Sequence, residues 1–121
     1  MREKHFRFED LEVWKAASSL TGELFALANR LEDRKCFRFA EQLRGATLSI
    51  TNNIAEGSGS VSQQDFASFL NIARRSVFET ANMLMILLQH GYFHHSDVQP
   101  LLDQLEEESR MLLAFIRKLR S

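Results

Sequence analysis

The chain has a single cysteine, a single proline and only five glycines in 121 residues. Because Cys36 is alone, it excludes an intrachain disulfide and a cage of thiolates around a metal, and it reads as a half-buried small hydrophobe. One proline beside a 45% apolar content is not the composition of a disordered chain. An excess of charge is missing too: 15 Lys and Arg stand against 16 Asp and Glu, a formal net charge of −1. Such a chain lacks the bulk positive field that captures nucleic acid, so any contact with phosphate has to come from local patches. No apolar run reaches the ~20 residues of a bilayer span. The start, Met1-Arg2-Glu3-Lys4-His5, has no signal-peptide core. A cytoplasmic protein with one domain over 1–121 is expected.

Helical periodicity is what remains. Val13, Ala17, Leu20, Leu24, Leu27 and Leu31 recur in steps of three and four, with Asp10 placed to cap the start. Leu11, Trp14 and Phe25 add apolar area outside that stripe, which leaves the first helix with more greasy surface than a monomer would expose. A second stripe runs Phe39, Leu43, Ala46, Ile50, Asn53 and Ile54, with Gly57 expected as the residue that ends the helix. Ser62 followed by Asp65 resembles a capping box before Phe66, Phe69, Leu70, Ala73, Val77, Thr80, Leu84 and Leu87. Ser96 or Gln99 is expected to cap the last helix, whose stripe is Leu101, Leu105, Leu112, Phe115 and Leu119, with Pro100 in its first turn. The predicted helices span about 10–31, 37–56, 63–90 and 97–120 after an extended lead over 1–9. Short connections make neighbours antiparallel, so the predicted fold is all-α, an up-down-up-down four-helix bundle.

The most distinctive stretch is Ser49-Ile50-Thr51-Asn52-Asn53-Ile54-Ala55-Glu56-Gly57. Asn53 shares a stripe with Ile50 and Ile54, so its amide points inward and needs partners. Glu56 lies near helix C-terminal carbonyls, where the macrodipole disfavours an acid, so a cation from Arg7, Lys15, Arg117 or another subunit is expected beside it. Trp14 and Phe66 should pack around this node at the same end of the bundle. Pairing of the second and third helices is expected to bring Arg44 to Glu79 as an interhelical ion pair.

No arrangement of residues specifies a reaction. The Glu-x-x-His pairs of di-iron bundles are absent, and Gly91 breaks the helix that would hold His90 and His94 as a metal pair. His90, His94 and His95 read as a surface cluster. Gly57-Ser58-Gly59 has neither the preceding strand nor the Gly-Lys-Ser/Thr ending of a phosphate loop. Ser49, Ser58, Ser60 and Ser62 have no histidine at helical spacing, and Cys36 has no obvious activating base. No catalytic residue, cofactor, metal or small-molecule substrate is expected. Basic residues gather as Arg2, Lys4 and Arg7, as Arg34, Lys35 and Arg38 with Arg30 and Arg44, and as Arg117, Lys118 and Arg120. They are the candidates for contact with RNA or DNA phosphate, weighed against a solvated rim.

Six elements appear in order: Phe8-x-Asp10-Leu11-Glu12-Val13-Trp14-Lys15-Ala16, Gln42-Leu43-Arg44, Ser49-Ile50-x-x-Asn53-Ile54-Ala55-Glu56-Gly57, Asp65-Phe66-x-x-Phe69-Leu70-x-Ile72-Ala73, Ser76-x-x-Glu79 and Gly91-Tyr92-Phe93. Together they resemble the 23S rRNA intervening-sequence proteins, also called four-helix bundle proteins, over the first three helices. The resemblance implies a homopentameric ring of bundles with no established enzymatic activity. It also implies a relation to the accessory proteins of diversity-generating retroelements, which bind nucleic acid and a reverse transcriptase. The chain departs from the family pattern at Gly45, where a second arginine is common, and at Ser60-Val61-Ser62-Gln63-Gln64, where basic residues are common. A proline common after the first helix is also absent around Leu31-Glu32. The first two departures remove positive charge from places that could engage phosphate. The expectation is a non-enzymatic, oligomeric scaffold, with nucleic-acid binding through phosphate contacts as the alternative.

Overall fold

Four amphipathic helices and a short 3-10 turn make up nearly all of residues 5–121, which the computed structural model of the chain describes. The turn is Arg7–Asp10, and the helices are α1 (Glu12–Asp33), α2 (Phe37–Ser58), α3 (Gln63–Gln89) and α4 (His95–Arg120). No strand occurs among the described residues. Connections of three to five residues leave each helix no choice but to pack antiparallel to the one before it. α1 lies against α2, α2 against α3, α3 against α4, and α4 closes on α1 to complete a four-helix bundle, with α1–α4 the thinnest seam. Among the described residues no helix is long and apolar enough to cross a membrane.

The core is built from the three-four stripes. Leu24, Leu31, Leu43, Ile54, Leu70, Leu84 and Leu112 are all completely buried. Burying one such side chain contributes about 1.5–3 kcal/mol, so the aligned stripes decide the fold. Two loops at the same end turn the chain by the same device. Lys35 and Gly91 adopt positive φ, 64° and 84°, just past α1 and α3. In each case the next amide reaches back to the helix, Cys36 to the Leu31 carbonyl at 2.8 Å and Tyr92 to the Leu87 carbonyl at 2.9 Å. Gly91 adopts this conformation freely, whereas Lys35 does so against the cost of its Cβ.

Several local expectations are corrected. Asp10 does not cap α1; it belongs to the 3-10 turn and meets His5 Nε2 at 2.9 Å, while Leu11 stands at the cap position. α4 begins earlier than Ser96 or Gln99 would allow: His94 is its cap residue, and Asp97 accepts the His94 N–H at 3.0 Å. Ser62 does cap α3, its hydroxyl accepting from the Asp65 N–H at 3.0 Å. Gly57 does not end α2, which continues to Ser58; the glycine is helical and buried. It is there for space, because α3 begins directly against it. The apolar excess expected on α1 is also overturned. Leu11, Trp14 and Phe25 are half-buried, and the Phe8 ring covers Trp14 at 5.0 Å. The exposed large apolar side chains among the described helices lie on α2 and α3: Phe37, Phe39, Leu48, Ile72, Phe78, Met85 and Ile86.

A Cβ at Gly57 would stand 2.7 Å from Phe69 Cβ and 2.9 Å from Phe66 Cδ1. Phe69 Cβ is tied to the backbone and cannot yield, so Gly57→Ala is expected to cost about 1–3 kcal/mol. Gly45 has nothing within 4 Å of the same position. Gly45→Ala should therefore add about 0.5–1 kcal/mol by helix propensity alone. Urea unfolding midpoints of the two variants should move in opposite directions.

Candidate functional site

The polar node of α2 lies on the face turned to α3. Ser49 and Ser76 hydroxyls meet at 2.7 Å across the seam. The Asn53 amide donates to the Ser49 carbonyl at 2.7 Å and to its hydroxyl at 3.0 Å. Asn53 is half-buried, and it braces Ser49 rather than reaching α3 itself. The node is thus Ser49, Asn53 and Ser76. Glu56 is exposed, and among the described residues no cation lies within ion-pair distance of it. Of the cations expected beside it, Lys15 instead pairs with Glu12 at 3.6 Å. Arg7 lies over the Phe66 ring at 4.8 Å, and Phe66 meets Phe115 edge to face at 5.1 Å. Phe66 is buried and Trp14 half-buried, in separate aromatic contacts.

The expected Arg44–Glu79 pair does not form. Arg44 donates to Glu32 at 3.1 Å and to the Asn29 side-chain oxygen at 2.7 Å, which ties α2 to α1. The reason is rotational: Arg44 lies about 100° around the helix from Leu43, on the flank toward α1. Ser49 marks the flank toward α3, and Glu79 stays exposed on the outside of α3.

The end of the bundle that holds the 34–36 and 90–94 loops combines cations with aromatic rings. Arg34 lies over the Tyr92 ring at 5.1 Å and donates to the Tyr92 carbonyl at 2.9 Å. Phe39 meets Tyr92 edge to face at 5.4 Å, and Arg30 lies over Phe93 at 5.5 Å. Arg30 also grips Asp97 through two nitrogens, at 3.0 and 3.1 Å. That grip and the His94 N–H hold the Asp97 carboxyl below its ordinary range. Lys35, Arg38 and Phe37 are exposed beside this cluster. His90, His94 and His95 are exposed nearby, and among the described residues no three His, Cys, Asp or Glu side chains converge as a metal site. Arg117, Lys118 and Arg120 are exposed in the last turn of α4, at the opposite end with Arg7. Arg2 and Lys4 lie outside the described residues.

A residue not singled out by sequence reasoning is the most unusual in the fold. Glu108 sits on the buried stripe of α4 between Leu105 and Leu112, only 2% exposed, and neither carboxyl oxygen has a hydrogen-bond partner. It lines a cavity of about 190 Å³ between α4 and α1, with Ala16, Ser19, Leu20, Gln104, Glu107 and Met111. Burial pushes its carboxyl up to about 8, so the group is mainly neutral at pH 7. The signal was present in the step of seven in the α4 stripe from Leu105 to Leu112, where Glu108 falls at helical spacing from both.

The family model described as 23S rRNA-intervening sequence protein matches residues 9–114. A solved structure from Bacteroides thetaiotaomicron, a protein of unknown function from the S23 ribosomal protein family, superposes with a TM-score of 0.82 at 24% identity. The match covers 87% of this chain and 98% of that one, and at this identity it shows the shared fold. No curated protein matches the chain.

The Glu108 carboxyl titrates higher in the folded chain, at about 8, than its ordinary 4.5. The folded state therefore holds a proton that the unfolded state releases, and stability from this group is complete below pH 4.5 and falls as pH rises through 8. Glu108→Gln removes that loss, and its advantage over the parent should grow by about 3–5 kcal/mol between pH 4.5 and 9. Denaturant titrations across that range check the sign; parallel pH profiles for the two proteins would show that Glu108 titrates normally.

Proposed function

We propose a scaffolding function for this chain, which belongs to the 23S rRNA-intervening sequence protein family. In this reading it is non-catalytic and cytoplasmic, and it associates with copies of itself into a ring of five. The observation that carries the reading is the apolar surface left in water on α2 and α3. Leu48, Ile72 and Ile86 are 41%, 42% and 44% exposed. Ile72 and Ile86 stand on one line of α3, about four turns apart, and Leu48 lies on the outer side of α2, about 100° around the helix from the Ser49 that meets α3. Apolar side chains arrayed in this way belong at an interface with a partner. If that face meets a different face of the next copy, the contact is head-to-tail, the kind that closes into rings.

Light scattering at micromolar concentration should give about five times the 14.0 kDa chain mass. Replacing Ile72 and Ile86 together by Asp should return the mass to 14.0 kDa while helical circular dichroism is retained. A parent chain that runs as a monomer would remove the reading.

A second reading has its own support in the end carrying Arg34, Lys35 and Arg38 beside Phe37, Phe39 and Tyr92. Cations that meet phosphate and rings that stack on unpaired bases are the two ingredients of single-stranded nucleic-acid binding. Phe37 is 55% exposed and Arg38 is exposed beside it. Fluorescence anisotropy with single-stranded RNA at low salt should show binding that weakens steeply as salt rises. Phe37→Ala should weaken it about tenfold, and Arg38→Ser should lower the salt slope by about one. Absence of binding at low salt would exclude this role.

A further inference from the structure

Glu108 is the one buried charged-type side chain of the described core whose polar atoms are unmet, and it has no role in packing that a leucine would not fill better. Two hollows lie along the α1–α4 seam on either side of Met111. One stretch, about 190 Å³, holds Glu108, Glu107, Gln104 and Ser19. The other, about 420 Å³, runs past Val13, Ala114 and Phe115 toward Lys118, and Met111 borders both. The first is acidic and rich in hydrogen-bond acceptors, and the second is apolar. Uncharged Ala16, Ser19 and Leu20 face the acid from α1, Glu107 adjoins it on α4, and Glu12 and Lys118 border only the far stretch. α2 and α3 contribute no residue to the lining.

We propose that the α1–α4 cleft binds an organic cation, an alkylammonium or alkylguanidinium, with its charged end on Glu108 and its stem along Val13, Met111 and Phe115. The chemistry follows from what Glu108 lacks. Two buried acceptors with no donor are matched by a head group that carries several N–H donors and a positive charge. The oxygens are shielded from water behind the cleft wall, and Met111, unbranched and flexible, is the side chain that yields to admit the head group. Binding is coupled to ionisation: the neutral carboxylic acid gives its proton to the buffer, and the carboxylate then pairs with the ligand N–H groups. One proton leaves for each cation bound. The same head group on an aliphatic stem is also what an arginine or lysine side chain of a second copy would present.

The probe is n-butylguanidinium, with tetramethylammonium as a cation without N–H donors and n-butanol as an uncharged stem. Butylguanidinium at about ten times its Kd should raise the Tm of the parent chain by ~3–5 °C. Calorimetry in two buffers of different ionisation enthalpy should show about one proton released, and affinity should rise ~tenfold per pH unit between pH 6 and 7. Tetramethylammonium and butanol should give none of these effects, and Glu108→Gln should abolish them while keeping its helical circular dichroism. Light scattering separates the sources. If butylguanidinium leaves the mass unchanged, the site takes a free small molecule. If it lowers the mass and Glu108→Gln does the same, the site takes a side chain of a neighbouring copy. The proposal is overturned if the parent chain shows no Tm shift with butylguanidinium, if no proton is released, or if Glu108→Gln responds equally.

Discussion

Each helix must hide one apolar stripe, and everything else in this molecule is arranged around that requirement. Residues three and four apart line one side of a helix, so Leu24 and Leu31 of α1, Leu43 and Ile54 of α2, Leu70 and Leu84 of α3 and Leu112 of α4 converge without water between them. Because the connections are short, the order of the stripes along the chain is also their order around the bundle. Polar groups that fall on or near a stripe then have to find partners locally. Thr47 and Thr80 do so by donating to the carbonyl one turn back in their own helices, at 2.7 and 2.8 Å. Ser49 and Ser76 do so across a seam.

Glu108 is the exception to that accounting. It occupies a stripe position on α4 but reaches no donor, and it faces the thinnest of the four seams. A neutral acid there is tolerable and an ionised one is not, so the fold trades some stability for a carboxyl held protonated near neutral pH. The opposite side of the bundle has a different character, with isoleucine and leucine side chains left in water on α2 and α3. One flank thus carries an unsatisfied acceptor and the other carries unburied apolar area.

The helices and their pairing were legible in the sequence because a period of 3.6 is written in the residues themselves. Ser62 was legible as a cap for a similar reason: its hydroxyl and the Asp65 N–H are neighbours in the chain. Gly57 was not. Glycine after an apolar run reads as a helix end, and only the approach of Phe66 and Phe69 shows that the position is needed for its lack of a side chain. The Asp10 expectation failed because Leu11, with extended backbone, intervenes before the helix. Arg44 and Glu79 failed as a pair because which flank of α2 faces which neighbour depends on the rotation of the whole helix in the bundle. A change of one residue along the chain turns a side chain by about 100°.

The order, lengths and antiparallel pairing of the helices follow from the sequence alone, since hydrophobic burial depends on spacing along the chain and on the shortness of the loops. The family likeness carried by the motif from Ser49 to Gly57 is legible there too. Tertiary structure decided which flank each helix turns to its neighbour. It placed Arg44 on Glu32, exposed Ile72 and Ile86, covered Trp14 with Phe8 and sealed Glu108 without a donor. Those outcomes depend on distances between residues far apart in the chain, and a local pattern holds no record of what will stand opposite.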